Sequence, residues 1–219
     1  MYITWFGQSC FKIQGDQSTL VTDPFDKSYG LKVPRLAADI VTISHHPDQD
    51  RDADTIKGTA PESTPFFITT PGEYEIKKTF VYGVPAYHDD KNGAVMGENT
   101  IYRIEIDGVT LVHLGDLGHR LTDAQMERLE GVDVLFVPVG GTNVLDATQA
   151  AAVISQLEPR IVIPMHYQLP GLKLKSGKKY DVVDKFKKEM GASAEEVPKL
   201  KVTKKDLPQE DIQIVILKP

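Results

Sequence analysis

The segment VTISHHPDQDRD, residues 41–52, is a short apolar run that turns at once into imidazoles and carboxylates: His45, His46, Asp48 and Asp50, with Arg51 beside them. The same habit recurs further on. His88 follows the run FVYGVPAY, His113 and Asp116 follow VTLV, and His166 ends RIVIPM. Short apolar runs bounded by polar residues read as buried strands, so four strands each deliver a donor side chain at one end. Residues this far apart in sequence converge only if the strand ends share one edge of a sheet. Imidazole nitrogen and carboxylate oxygen hold zinc, iron or manganese at about 2.0–2.2 Å. Any one of these histidines reads first as an ordinary hydrogen-bonded residue; four strand ends with the same habit read as a site.

The rest of the chain supplies the scaffold. YITWFG and CFKIQG read as a hairpin and STLVTDPF as a third strand. PFFITT, KTFVYGVPAYH and NTIYRIEIDGVTLVHLG follow as strands, with Asp107-Gly108 as a hairpin turn. PGEYE is a turn into a strand, with Glu73 or Tyr74 lining a cleft as the lesser reading. LTDAQMERLEG has helical periodicity and stops at Gly131. DVLFVPVGG is a buried strand. LDATQAAAVISQLEP is a helix with Asp146 as N-cap, Gln149 at capping-box spacing and Pro159 closing it. RIVIPMHY, VVDKFKKEMG and DIQIVILKP complete the order as strand, surface helix and strand. The run from Gln168 to Lys179 is rich in glycine and lysine and is a candidate flap. The expected fold class is α/β of the α+β type, with mixed sheets inside, helices outside and one domain over residues 1–219. A clean βαβ series is excluded.

Composition narrows the function classes. The net charge is −6 at pH 7 over 219 residues. No basic face is announced, so no nucleic-acid or membrane partner is expected. The late lysines are interleaved with acids, as on a solvated helix face. Cys10 is the single cysteine. It reads as a buried core thiol, and its solitude points to a reducing compartment. With no secretory leader and no apolar run near the about 18 residues of a membrane span, the expected location is the cytoplasm.

In order along the chain, ITWFGQSCFKI, LVTDPF, ADIVTISH, PAYH, HLGDLGH, TNVLDATQAA and IPMHY resemble the successive signatures of the metallo-β-lactamase superfamily. They are most similar to its small single-domain branch that includes ascorbate-6-phosphate lactonase-like proteins. The resemblance implies a four-layer αββα sandwich with metal at one edge. It implies His88 and His166 as ligands and Asp116 as the carboxylate bridging two metals. His113 is expected to support the site and His119 to stand outside it; Asp23, before Pro24, reads as a structural turn residue, with reaching the site from behind as the further reading. Tyr167, beside His166, either contacts substrate or packs. Thr142 and Asn143 are either ligand contacts or part of the approach to the helix.

The family's first motif, His-x-His-x-Asp-His, is altered here. With Ser44-His45 in register, Pro47, Gln49 and Asp50 occupy the remaining positions. A one-residue deletion recovers His45, His46 and Asp48, with Gln49 in place of the last histidine. A one-residue shift keeps His46, Asp48 and Asp50, which face one side of an extended chain, with Arg51 replacing the last histidine. All three registers stay open, and each loses a ligand. An arginine can stand in for the charge of one metal, and Arg51 is also a candidate substrate contact.

The implied cofactor is one or two divalent metals, zinc first, with manganese or iron favoured if the ligands are oxygen-rich, or none if the site is degraded. The implied activity is hydrolysis of a small ester, lactone or phosphate-bearing substrate by metal-activated water. Asp116, Asp48 and Asp50 are its catalytic carboxylates. A non-catalytic binder of a ligand or partner is the alternative, and a nuclease the weaker one. Homo-oligomerisation is left open.

Overall fold

The computed structural model describes residues 1–45, 56–174, 176–191 and 193–219. Two mixed sheets pack face to face. The smaller contains β1 (Tyr2–Gly7), β2 (Cys10–Gln14), β3 (Thr19–Thr22), β4 (Ile40–Thr42) and β5 (Phe66–Ile68), with β13 (Leu200–Lys201) added beside β1. The larger runs β12-β14-β11-β10-β9-β8-β7-β6. Its strands are β6 (Gly72–Ile76), β7 (Thr79–Tyr87), β8 (Glu98–Ile106), β9 (Val109–His113), β10 (Val134–Pro138), β11 (Ile161–Met165), β12 (Ala194–Val197) and β14 (Gln213–Leu217). This is the expected sandwich.

Local sequence accounts for most of these elements. Asp107 and Gly108 both adopt positive φ, 52° and 75°. That is what a two-residue hairpin turn requires, and it joins β8 to β9 in antiparallel register, Ile106 opposite Val109. All five residues of β10 and all five of β11 are buried. Parallel strands covered on both faces carry unbroken apolar runs. In the smaller sheet, alternation sends Phe11, Leu20 and Ile40 to the inter-sheet core, while Cys10, Val21 and Val41 join a second apolar cluster with Phe25, Ile43 and Ile56. Cys10 is a buried thiol as expected.

The helices α1 (Asp123–Arg128), α2 (Ala147–Leu157) and α3 (Val183–Met190) all follow β9. α1 and α2 pack on strands of the larger sheet, and α3 packs on α2. The outer cluster of the smaller sheet is closed by Phe25, Ala38 and the partly buried Tyr29, Leu31, Val33 and Leu36 of an irregular segment that holds one 3-10 turn. Among the described residues this segment stands where a helical layer was expected. No helix among them is long and apolar enough to cross a membrane.

α2 is capped as its sequence predicts. The Asp146 carboxylate accepts from Gln149 N at 2.9 Å, and the Gln149 amide oxygen accepts from Asp146 N at 3.0 Å. Asp146→Ala is expected to lower stability by about 1 kcal/mol, read from the urea midpoint. An unchanged midpoint would show that packing alone holds this helix.

Strand direction positions the site. β1 and β3 are both antiparallel to β2, and β3 and β4 are parallel, so β1, β3 and β4 point one way. β7 and β9 are both antiparallel to β8, and β9, β10 and β11 are parallel, so β7, β9 and β11 also share a direction. The sheets are joined at the rim where these strands end. His45 bridges to Asn99, and Thr100 N donates to the Ser44 carbonyl. Deeper in, the Tyr102 hydroxyl of the larger sheet donates to the carbonyls of Ile43 and Ile68 in the smaller one.

Candidate functional site

Asp116 lies in the loop after β9 and is 4% exposed. Three imidazoles from three other segments surround it. His45 Nδ1 lies 3.3 Å from one carboxylate oxygen and His88 Nε2 lies 3.8 Å from the same oxygen. His166 Nε2 lies 3.3 Å from the other. Burial alone would raise the Asp116 pKa, but the adjacent imidazoles, His45 foremost, hold it well below the usual carboxylate range. Burial pushes the His88 pKa down against the opposing pull of Asp116. A neutral imidazole beside an ionised carboxylate is the state in which both act as metal ligands.

A frame of polar contacts fixes the carboxylate. The Ser9 hydroxyl donates to it at 3.1 Å from the β1–β2 turn. Asp116 N donates to the Asn99 amide oxygen at 3.0 Å, and Asn99 Nδ2 in turn donates to the Leu114 carbonyl at 2.9 Å. Gly115 has φ +60°, and a Cβ there would fall 2.5 Å from both the Asn99 amide oxygen and Ser44 Cβ. Only glycine lets the loop pass so close.

A second frame lies behind the first. Asp23 accepts from Ser44 N at 2.7 Å and from the Ser44 hydroxyl at 2.6 Å, and that hydroxyl contacts His45 Nδ1 at 3.2 Å. His113 is fully buried, and burial lowers its pKa. Its Nε2 donates to the Ser9 carbonyl at 3.0 Å, which leaves Nδ1 to accept from Gly115 N at 3.3 Å. His113 therefore holds the Ser9 turn and the Asp116 loop together.

The structure brings His45, His88, Asp116 and His166 to one place. His46, Asp48, Asp50 and Arg51 lie outside the described residues. His119 uses both ring nitrogens in the backbone, accepting from Tyr87 N and donating to the Arg120 carbonyl. Tyr167, read as either a substrate contact or a packed residue, is 4% exposed, with its ring 5.0 Å from that of Trp5. Its neighbour in space is the core, and Tyr180 is the tyrosine set edge-on against His166, with centroids 4.8 Å apart. Glu73 and Tyr74 belong to edge strand β6, where the Tyr74 hydroxyl contacts Thr70 and its ring faces Phe66. The Thr142 hydroxyl donates to the Lys179 carbonyl at 2.9 Å, and the Asn143 backbone lies against His88.

Sequence reasoning missed Ser9, Asn99 and Tyr180. A polar residue in a tight turn was the only signal for the first, and the other two had none.

Every buried side-chain polar atom without a hydrogen-bond partner among the described residues belongs to Gln8, Thr42, His88 or His166. Buried polar groups are otherwise almost always paired. Three of these residues flank the Asp116 site, and Thr42 ends the strand that leads to His45. Among the described residues no group of three His, Cys, Asp or Glu is already spaced to hold a metal ion; the carboxylate itself fills the centre. The donor chemistry nevertheless fits a divalent metal, with three imidazoles, a carboxylate and an unpartnered His88 Nε2 on hand.

A family model described as the beta-lactamase superfamily domain matches residues 2–166, a span that ends on His166. A UPF0173 metal-dependent hydrolase of Thermococcus onnurineus is 30% identical over 188 residues, covering 75% of this chain and 84% of the relative. Another, of Lysinibacillus sphaericus, is 29% identical over 194 residues, covering 76% and 85%. The crystal structure of a metallo-beta-lactamase superfamily protein from Thermotoga maritima is 34% identical, covers 99% of this chain and 97% of its own, and superposes with a TM-score of 0.79. With the family model spanning most of the chain and every rim donor inside it, the chain belongs to the beta-lactamase superfamily domain family and has the metallo-β-lactamase fold.

Proposed function

We propose that the protein is a metal-dependent hydrolase of small esters or lactones. The observation that carries this reading is the meeting of His45, His88 and His166 on the buried, ionised Asp116. The names of the relatives from Thermococcus onnurineus and Lysinibacillus sphaericus support it. The name of the Thermotoga maritima protein favours zinc. His45, His88, Asp116 and His166 would hold the ion. When bound, a divalent metal supplies a water of lowered pKa and a Lewis acid for the substrate carbonyl. The protein's own part is positioning. Ser9 and Asn99 orient Asp116, Ser44 and Asp23 hold His45, and His113 ties the two loops together.

A non-catalytic binder is the second reading. Its support is that the described donors stand in contact with one another rather than around an open point, together with the altered 45–51 motif. Elemental analysis of protein purified without chelator, with melting curves before and after chelator, separates the two. The hydrolase reading expects bound transition metal, a melting temperature that falls on its removal, and turnover of simple esters or lactones that stops with it. Metal-free protein that melts identically under both conditions would leave only the binder.

A further inference from the structure

Glu73, which the sequence offers as a cleft-lining residue, lines a cavity of about 430 Å³ on the outer face of the larger sheet. Pairing register sets Glu73 of β6, Tyr82 of β7 and Arg103 of β8 side by side in one row, and residues opposite one another in a sheet share a face. Tyr102, next to Arg103, points inward, where its hydroxyl donates to the Ile43 and Ile68 carbonyls, so the row points outward. α1 covers the neighbouring part of β7, and Gln125 Nε2 donates to the Pro85 carbonyl at 2.8 Å. The helix ends at Arg128, which also lines the cavity.

Two opposite charges in this cavity are left unused. Arg103 pairs with Glu105, and its guanidinium lies 5.5 Å from the centroid of the Tyr82 ring. Among the described residues, neither the Glu73 carboxylate nor the Arg128 guanidinium has a hydrogen bond or an ion pair, with each other or with any third group. Pro71, Val84, Pro85 and the Tyr82 ring add apolar surface. A simple anion meets Arg128 but is repelled by Glu73. A simple cation meets Glu73 but is repelled by both arginines. A molecule with both charges uses both groups, because a guanidinium fork matches a carboxylate and a carboxylate accepts from an ammonium. An α-amino acid bears the two on one carbon and has a side chain left over for the apolar surface.

We propose that this cavity binds a free α-amino acid with an apolar side chain, its carboxylate on Arg128 and its ammonium on Glu73. The site lies on the outer face of the sheet rather than at the rim, and it stands whether or not the rim holds metal.

The test titrates leucine and phenylalanine by calorimetry into the full-length protein, as purified and again after chelator. Each amino acid is matched by its one-charge relatives: isoamylamine and isocaproate for leucine, phenethylamine and hydrocinnamate for phenylalanine. At least one of the two amino acids is expected to bind saturably in both preparations. Its amine and its acid are expected to bind at least about tenfold more weakly, the scale of one lost hydrogen bond to a charged group. Arg128→Gln is expected to weaken that amino acid about tenfold and leave its amine no weaker. Glu73→Gln is expected to weaken it about tenfold and leave its acid no weaker. Both side chains are exposed, so neither substitution should move the melting temperature. No binding of either amino acid, equal binding of the matching amine or acid, or binding that survives both substitutions would overturn the proposal. Binding that is lost with chelator would put the amino acid on a metal at the rim and would overturn it as well.

Discussion

Asp116→Asn is expected to empty the candidate metal centre while leaving the fold in place. Asparagine matches the volume of aspartate and can still meet the Ser9 hydroxyl, but it is neutral and a far poorer ligand. Losing only a residue that supports a ligand costs about 10- to 100-fold in metal affinity, so removal of the central carboxylate is expected to cost at least about 100-fold. Metal content after dialysis should fall to background, and ester or lactone turnover with it. The imidazoles stabilise the ionised Asp116 in the folded protein, so the variant should also be less stable than its metal-free parent. With no ion to remove, its melting curve should lose its response to chelator. An Asp116→Asn protein with the parent's metal content and the parent's chelator response would show that the ion, if any, sits elsewhere.

Gly140→Ala tests the support of His166. A Cβ at Gly140 would lie 2.1 Å from the His166 carbonyl oxygen and 3.1 Å from Tyr180 Cβ. The first is backbone, held where β11 ends, and it cannot rotate away. His166 already adopts φ +57°, a conformation unusual outside glycine and asparagine. The added methyl is expected to cost about 2–3 kcal/mol, the upper range for overpacking, and to displace His166 from Asp116. Urea midpoints and metal content read the two effects. Gly191→Ala is the control. It has φ +59° with no atom within 4 Å of its Cβ, so it should cost only the backbone penalty of about 1 kcal/mol and leave metal content alone. Equal losses in the two variants would rule out a steric role for Gly140.

The donors were legible because each ends an apolar run. His88, Asp116 and His166 stand directly after buried strands, and the pattern of runs is local information. Their partners were not legible. Asn99 meets Asp116 because β8 starts where β7 ends and His45 bridges to it from the other sheet. Nothing around Asn99 in the chain reports that register. Tyr180 lies in a lysine-rich loop that reads as solvated, yet it packs on His166, and Tyr167, adjacent to His166 in sequence, turns into the core against Trp5. Of the two readings of Tyr167, contact with substrate or packing, the structure shows packing against Trp5; the turn at His166, with φ +57°, is not legible in the sequence. The strands β12 and β13 also went unread. They are short and charged, and their pairing with β14 and β1 in different sheets comes from the packing of the whole chain.

Periodicity, turn chemistry and capping thus determined the strands, the Asp107-Gly108 hairpin and the Asp146 cap, because each depends on neighbours within a few residues. They also determined which side chains reach the strand ends. Tertiary structure alone decided that those ends share a rim, that Asp116 stands at its centre, and that Ser9 and Asn99 meet it. The physical reason is that convergence is set by strand order and direction across two sheets, which are fixed by the joint burial of both apolar faces and not by any one segment.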